Sequence, residues 1–199
     1  MTVFDAKADL LRYLQFARDA LLWKLDGLGE YDIRRPLTPT GTNLLGLVKH
    51  AAGVEAGYLG AAFGRPFPEP LPWTGAQAAE NADMWATAGE SREDITGLYR
   101  RVWAHADATV AALAPDTVGR VPWWPAGADT ITLHHALVRV LADAQHHAGH
   151  ADILREHLDG ATGWRPDNSA LPSADPAWWD AYRDRLEHAA REAAEKTRD

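Results

Sequence analysis

TITLHHALVRVLADAQHHAGHADILREHLDG, residues 130–160, decides how the rest of the chain is read. Apolar residues recur in it at spacings of three and four, Thr130 or Thr132 stands where an N-cap belongs, and Gly160 closes it. The stretch is therefore predicted to be one long helix reaching about Leu158. At about 100° per residue, with Ala136 at zero, the apolar residues from Ala136 to Leu154 fill an arc of roughly 140°. That arc is the face expected to enter a core. His147 falls inside it, Asp143 and His150 stand at its edge, and His146 points away. Residues three and four apart on a helix share a face, so Asp143, His147 and His150 are able to converge on one ion or one proton-transfer site. The pair His146 and His150 also has metal-binding spacing, but the poorer orientation.

Working outward, three further amphipathic segments precede this one. The first runs from about Asp5 to Leu25. The second starts at Asn43, behind Thr42 as cap, and is expected to reach Phe63, where Gly64 and Pro66 stop it. The third spans Arg92 to Leu113 behind Ser91, with Asp94 placed to take part in the cap. The connection GRPFPEPLPWTG, residues 64–75, is read as an ordered, extended loop. No strand pattern stands out. A terminal helix begins at Pro176, expected to dock through Trp178, Trp179 and Tyr182. Four helices joined by one or two long crossovers imply an all-α protein, a four-helix bundle over residues 1–160, with 161–199 as a C-terminal extension whose helix packs on the same domain.

Composition narrows the function classes. The 199 residues, 46% hydrophobic by a broad count, are enough for one domain with its own core. There is no cysteine, so disulfides and thiolate metal sites are excluded, and any thiol chemistry must come from a cofactor or substrate. A net charge of −8 and dispersed basic residues argue against nucleic-acid binding. No apolar run is long enough for a membrane span, and the early acidic residues do not suit a signal peptide. A cytoplasmic protein acting on a small molecule is expected.

The second helix supplies a partner for Asp143 and His147. It is apolar nearly all round, with Gly46, Gly53, Gly57 and Gly60 making a smooth row on one side. His50 lies between that row and the Leu47 and Val54 side, and Glu55 falls within the apolar face, where a carboxylate requires a partner. His50, Asp143 and His147 together form a three-ligand set that suits zinc, with nickel or iron as alternatives, and leaves room for water or substrate. Such an ion would lower the pKa of a bound thiol or water. His150 is then a candidate base, hydrogen-bond donor or replacement ligand, and Glu55 a candidate for positioning the proton. Trp123 and Trp124, in the loop before the site helix, are candidate pocket residues, and Arg35, beside Arg34, is a candidate for substrate binding. The plainer reading makes His50 a hydrogen-bonded core histidine, the remaining histidines surface or capping groups, and the tryptophans core. On that reading the protein is a metal-free bundle that binds a small molecule, or a dimeric interaction or stress protein.

Two stretches, RRPLTPTGTNLLGLVKHAAGVE at 34–55 and QHHAGHADILREHLDG at 145–160, with VPWWP at 121–125 between them, resemble the DinB-like superfamily of damage-inducible four-helix-bundle proteins. The resemblance covers the chain to about Gly160 and lies closest to a bacterial subfamily related to mycothiol- and bacillithiol-dependent transferases. It implies a divalent metal held by one histidine of the second helix and a pair four residues apart on the fourth. His50 matches the first position, and His147, in His147-Ala148-Gly149-His150, the last. Asp143 then takes the middle position, where most relatives have His and the mycothiol-dependent maleylpyruvate isomerases have Glu. The resemblance further implies a thiol S-transferase or thiol-dependent isomerase, with mycothiol or bacillithiol as cosubstrate. A homodimer is a separate expectation, resting on the aromatic loops and on faces of the first and third helices that one bundle leaves uncovered. Those isomerases carry an additional C-terminal domain, so maleylpyruvate itself is not the expected substrate.

Overall fold

Each bundle helix begins where a short polar side chain takes up a free backbone N–H. The computed structural model describes residues 5–75 and 77–196. In it α1 (Ala6–Trp23) is capped by Asp5, whose carboxylate accepts from the N–H groups of Lys7 and Ala8. After the short α2 (Glu30–Arg34), α3 (Leu44–Tyr58) is capped by Asn43 and α4 (Arg92–Ala112) by Ser91. Strands β1 (Val118–Arg120) and β2 (Thr130–Thr132) lead into α5 (Leu133–Asp159), capped by Thr132, and α6 (Pro176–Lys196) ends the described chain. The bundle is α1, α3, α4 and α5: α1 packs on α5, and α3 lies between α4 and α5. The all-α bundle read from sequence is therefore the fold.

Four details differ from the sequence reading. The cap of α3 is Asn43, not Thr42, because Asn43 accepts from Gly46 N–H at 2.8 Å while its amide donates to the Gly41 and Met84 carbonyls. α3 stops at Tyr58, and Ala61–Phe63 continue as a 3₁₀ turn that Gly64 closes at a left-handed φ of 67°. Residues 118–120 and 130–132 pair as a two-stranded antiparallel ribbon, Val118 opposite Thr132 and Arg120 opposite Thr130. Three-residue strands are too short for alternation to reveal them. In the last helix Trp178, Trp179 and Tyr182 pack on one another, Trp178 stacking on Tyr182 at 5.2 Å, and no residue of α6 is buried.

The core is aliphatic along the helix seams: Leu21, Leu45, Leu47, Val48, Ile95 and Val102 at one end, Leu14, Leu59, Val110, Leu133, Leu137 and Val140 at the other. An ionic network crosses it. The Arg18 guanidinium of α1 donates to both oxygens of Glu55 on α3, at 2.6–3.2 Å, and the Tyr99 hydroxyl of α4 donates to the same carboxylate at 3.0 Å. Arg18 also reaches Asp107 on α4 and Gln15 on its own helix. Burial pushes the Glu55 carboxyl above the usual carboxylate range, against the pull of Arg18 and Tyr99. The network joins three helices through groups that cannot be left unpaired.

The crossover between α3 and α4 is fastened to α3 rather than loose. A Cβ at Gly46 would lie 1.9 Å from the Met84 carbonyl oxygen, so only glycine lets this loop sit down on the helix. Asn43 donates to that same carbonyl, and buried Lys49 donates to the Trp85 carbonyl while pairing with Glu90. Arg34 of α2 closes the loop's far side on the Thr87 and Glu90 carbonyls. The docking places Asp83, next to Met84, within reach of His50, one helical turn beyond Gly46.

Candidate metal centre

His50 on α3 and Asp143 and His147 on α5 meet where the two helices pack. One donor atom from each lies within 4.8 Å of the other two. The Asp143 carboxylate stands between the imidazoles, Oδ2 at 3.8 Å from His50 Nε2 and Oδ1 at 3.8 Å from His147 Nε2. These separations are too long for hydrogen bonds. The two rings meet edge to face at 4.8 Å. Three donors that converge without bonding one another are an arrangement suited to a shared ion. Ligand atoms around zinc at about 2.0–2.2 Å are themselves roughly 3–3.5 Å apart, somewhat closer than these donors stand.

Protonation favours the same use. His50 Nδ1 is 2.6 Å from Asp83 Oδ2. A carboxylate accepts, which puts the proton on Nδ1 and leaves the Nε2 lone pair facing the cluster. A carboxylate behind a histidine is how metal-binding imidazoles are commonly oriented. His147 is 13% exposed, and its pKa is lowered to about 4. Burial is the main cause; Asp143 opposes it, and His50, His150 and His146 add to it. His147 is thus neutral at pH 7, with buried Nδ1 lacking a hydrogen-bond partner. Two imidazoles, His147 neutral and His50 bonded through Nδ1 to a supporting carboxylate, fit together with the Asp143 carboxylate a divalent ion of the zinc, nickel or iron kind.

The other candidates from sequence separate. His150 is exposed beside the cluster, its ring 5.6 Å from that of His147 and 4.3 Å from that of His146. Glu55 stands apart from the ligand set: five residues beyond His50 it is turned about 140° round α3, and Arg18 and Tyr99 occupy its carboxylate. Arg35 pairs with Asp32 and lies over the Tyr31 ring, away from the site. Trp123 and Trp124 take different roles. Trp124 packs into the bundle, donating to the Tyr58 hydroxyl at 3.2 Å, with Arg139 over its ring. Trp123 is 53% exposed and meets Tyr58 edge to face at 5.1 Å.

Trp123 forms one wall of an open cleft of about 940 Å³ beside α3. Gly53 and Gly57 make its floor, and Tyr58, Phe67 and Trp73 complete its aromatic walls. Asp83 lines the cleft as well as bonding His50, so it connects the cleft to the cluster of His50, Asp143 and His147. Sequence reading missed Asp83, because a single acid in an aperiodic loop carries no spacing signal.

Comparison with known proteins completes the picture. No curated protein sequence matches the chain. Among solved structures, a conserved protein from Enterococcus faecalis is similar, with a TM-score of 0.57 and 16% identity, over 79% of this chain and 99% of that one. That likeness shows the fold alone. The family model described as mycothiol-S-transferase matches residues 9–160, which takes in α1 from Asp9 and the whole of α3, α4 and α5. With about three quarters of the chain and both His50 and His147 inside the match, the chain belongs to the mycothiol S-transferase family, within the DinB-like superfamily.

Proposed function

We propose that the protein is a divalent-metal-dependent S-transferase that joins a low-molecular-weight thiol, mycothiol or bacillithiol, to a small electrophile. The observation that carries this reading is the His50, Asp143 and His147 cluster, backed by Asp83 at the edge of a cleft large enough for a small molecule. A divalent ion held by these three residues would supply Lewis-acid stabilisation of a thiolate, so that a thiol reacts at neutral pH. Asp83 holds the His50 ring and its tautomer, and burial holds His147 neutral with its Nε2 3.8 Å from Asp143 Oδ1. Exposed His150 receives the thiol proton and passes it to solvent. In an isomerase variant of the same chemistry the thiol adds and is released again. The absence of cysteine fits a protein that takes its reactive sulfur from a cosubstrate. Among the described residues no helix is long and apolar enough to cross a membrane, which is compatible with a cytoplasmic setting where such thiols are kept reduced.

Metal removal tests this. Protein purified without a tag is expected to carry about one divalent ion per chain, and to lose thiol consumption by more than about tenfold after chelation and dialysis, with recovery on adding zinc, nickel or ferrous ion. Consumption of thiol and electrophile that chelation leaves unchanged would sink the reading.

A further inference from the structure

The glycine row of α3 and the walls around it define what the cleft accepts. At Gly57 a Cβ would lie 2.8 Å from the Trp123 ring, and at Gly53 3.4 Å from Thr74 and 3.7 Å from the Trp73 indole nitrogen. At Gly57 bare backbone is therefore what lets the Trp123 ring lie close against the helix, while at Gly53 a side chain would extend into the space beside Thr74 and Trp73. The Phe67, Tyr58, Trp73 and Trp123 side chains leave mostly apolar faces toward the space between them.

Charge sharpens the selection. Two carboxylates line the cleft, and both are engaged, Glu69 by Arg101 at 2.7 and 2.8 Å and Asp83 by His50 at 2.6 Å. Among the described residues no lysine, arginine or histidine lines it. An anionic ligand would lose its hydration and, among the described residues, find no cationic side chain lining the cleft to replace it. A cationic one would find both acids already paired. A flat apolar molecule meets neither cost, and its faces stack on the indole and phenyl rings.

We propose that this cleft is the electrophile's binding site and that it selects planar, uncharged aromatic molecules, quinones among them. The proposal rests on the transferase reading above. For a quinone the reaction balances without a co-reactant. The thiolate sulfur bonds a ring carbon as the C=C electron pair moves toward a carbonyl oxygen. The proton from the thiol and the one displaced from the attacked carbon then end on the two oxygens, giving a hydroquinone thioether.

The test uses an unreactive pair of probes of nearly equal shape, 2-naphthamide and 2-naphthoate, titrated calorimetrically into the metal-loaded protein. The uncharged amide is expected to bind at least about tenfold more tightly than the carboxylate. Gly53→Leu, which puts a side chain on the floor, and Trp123→Ala, which removes an exposed wall, should each weaken the amide by about tenfold with metal content unchanged. Carboxylate binding as tight as that of the amide would overturn the proposal, as would amide binding insensitive to both substitutions in folded protein. Amide binding that persists in a protein with neither bound metal nor thiol consumption supports the cleft and overturns only the transferase reading. Metal-dependent thiol consumption with no amide binding does the reverse.

Discussion

His147→Ala and His50→Ala are each expected to bring bound metal from about one ion per chain to near zero and thiol transfer to the uncatalysed rate, while the bundle stays folded. Both side chains are partly exposed at the meeting of α3 and α5 rather than part of the aliphatic seams, so their loss removes donors more than packing. Asp83→Asn should behave differently. It keeps all three donors but weakens the hold on the His50 tautomer, so metal affinity falls by about 10–100-fold while stoichiometry survives at saturating metal. Elemental analysis and circular dichroism of the three variants beside the parent protein separate these outcomes. Unchanged metal content in His147→Ala would remove that residue from the ligand set.

The second large effect is on stability and lies away from the ligands. Arg18→Met strips the counter-charge from the fully buried Glu55 carboxylate and leaves Tyr99 as its remaining hydrogen-bond partner. Removing one member of a buried pair costs about 3–5 kcal/mol, which in a domain of this size lowers the melting temperature by roughly 6–20 °C. The sign with pH follows from the charge left behind. A neutral Glu55 is tolerated in an apolar site and an ionised one is not, so the deficit of Arg18→Met relative to the parent should grow as pH rises and shrink on acidification. Arg18→Met combined with Glu55→Leu should recover much of the loss, because apolar groups of similar volume replace the pair without stranding a charge. Thermal melts at pH 5 and pH 8 measure all of this; a single variant melting within about 2 °C of the parent at pH 8 would show that the network contributes little.

Much of this molecule was legible before any coordinates, and the reason is periodicity. A 27-residue helix such as α5 repeats its apolar face often enough to set the orientation of every residue on it. That is why His147 and Asp143 could be ranked above His146, and the structure indeed leaves His146 exposed and turns His147 partly inward. His50 followed by the same argument on α3. Glu55 was legible as a buried acid in need of a partner, but not which partner, because Arg18 sits on another helix 37 positions away. What sequence did not reveal was aperiodic or too short to repeat: the three-residue strands, the 3₁₀ turn after α3, and above all Asp83. Its contact with His50 depends on how a loop is seated, not on any spacing along a helix. The two loop tryptophans, neighbours in sequence, proved to face different ways, one partly buried against the core and one on the cleft.

The seating of that loop on Gly46 has a consequence for how the protein tolerates change. Gly46 touches no ligand, yet any side chain there collides with the Met84 carbonyl and levers away the segment that carries Asp83. In a survey of all single substitutions this position would score as intolerant as the histidines themselves, while exposed Arg139, one turn from Asp143, would accept many replacements. A map of tolerance drawn over this protein would therefore trace a seam running along α3, and a reader of that map alone would mistake a joint for a reaction centre.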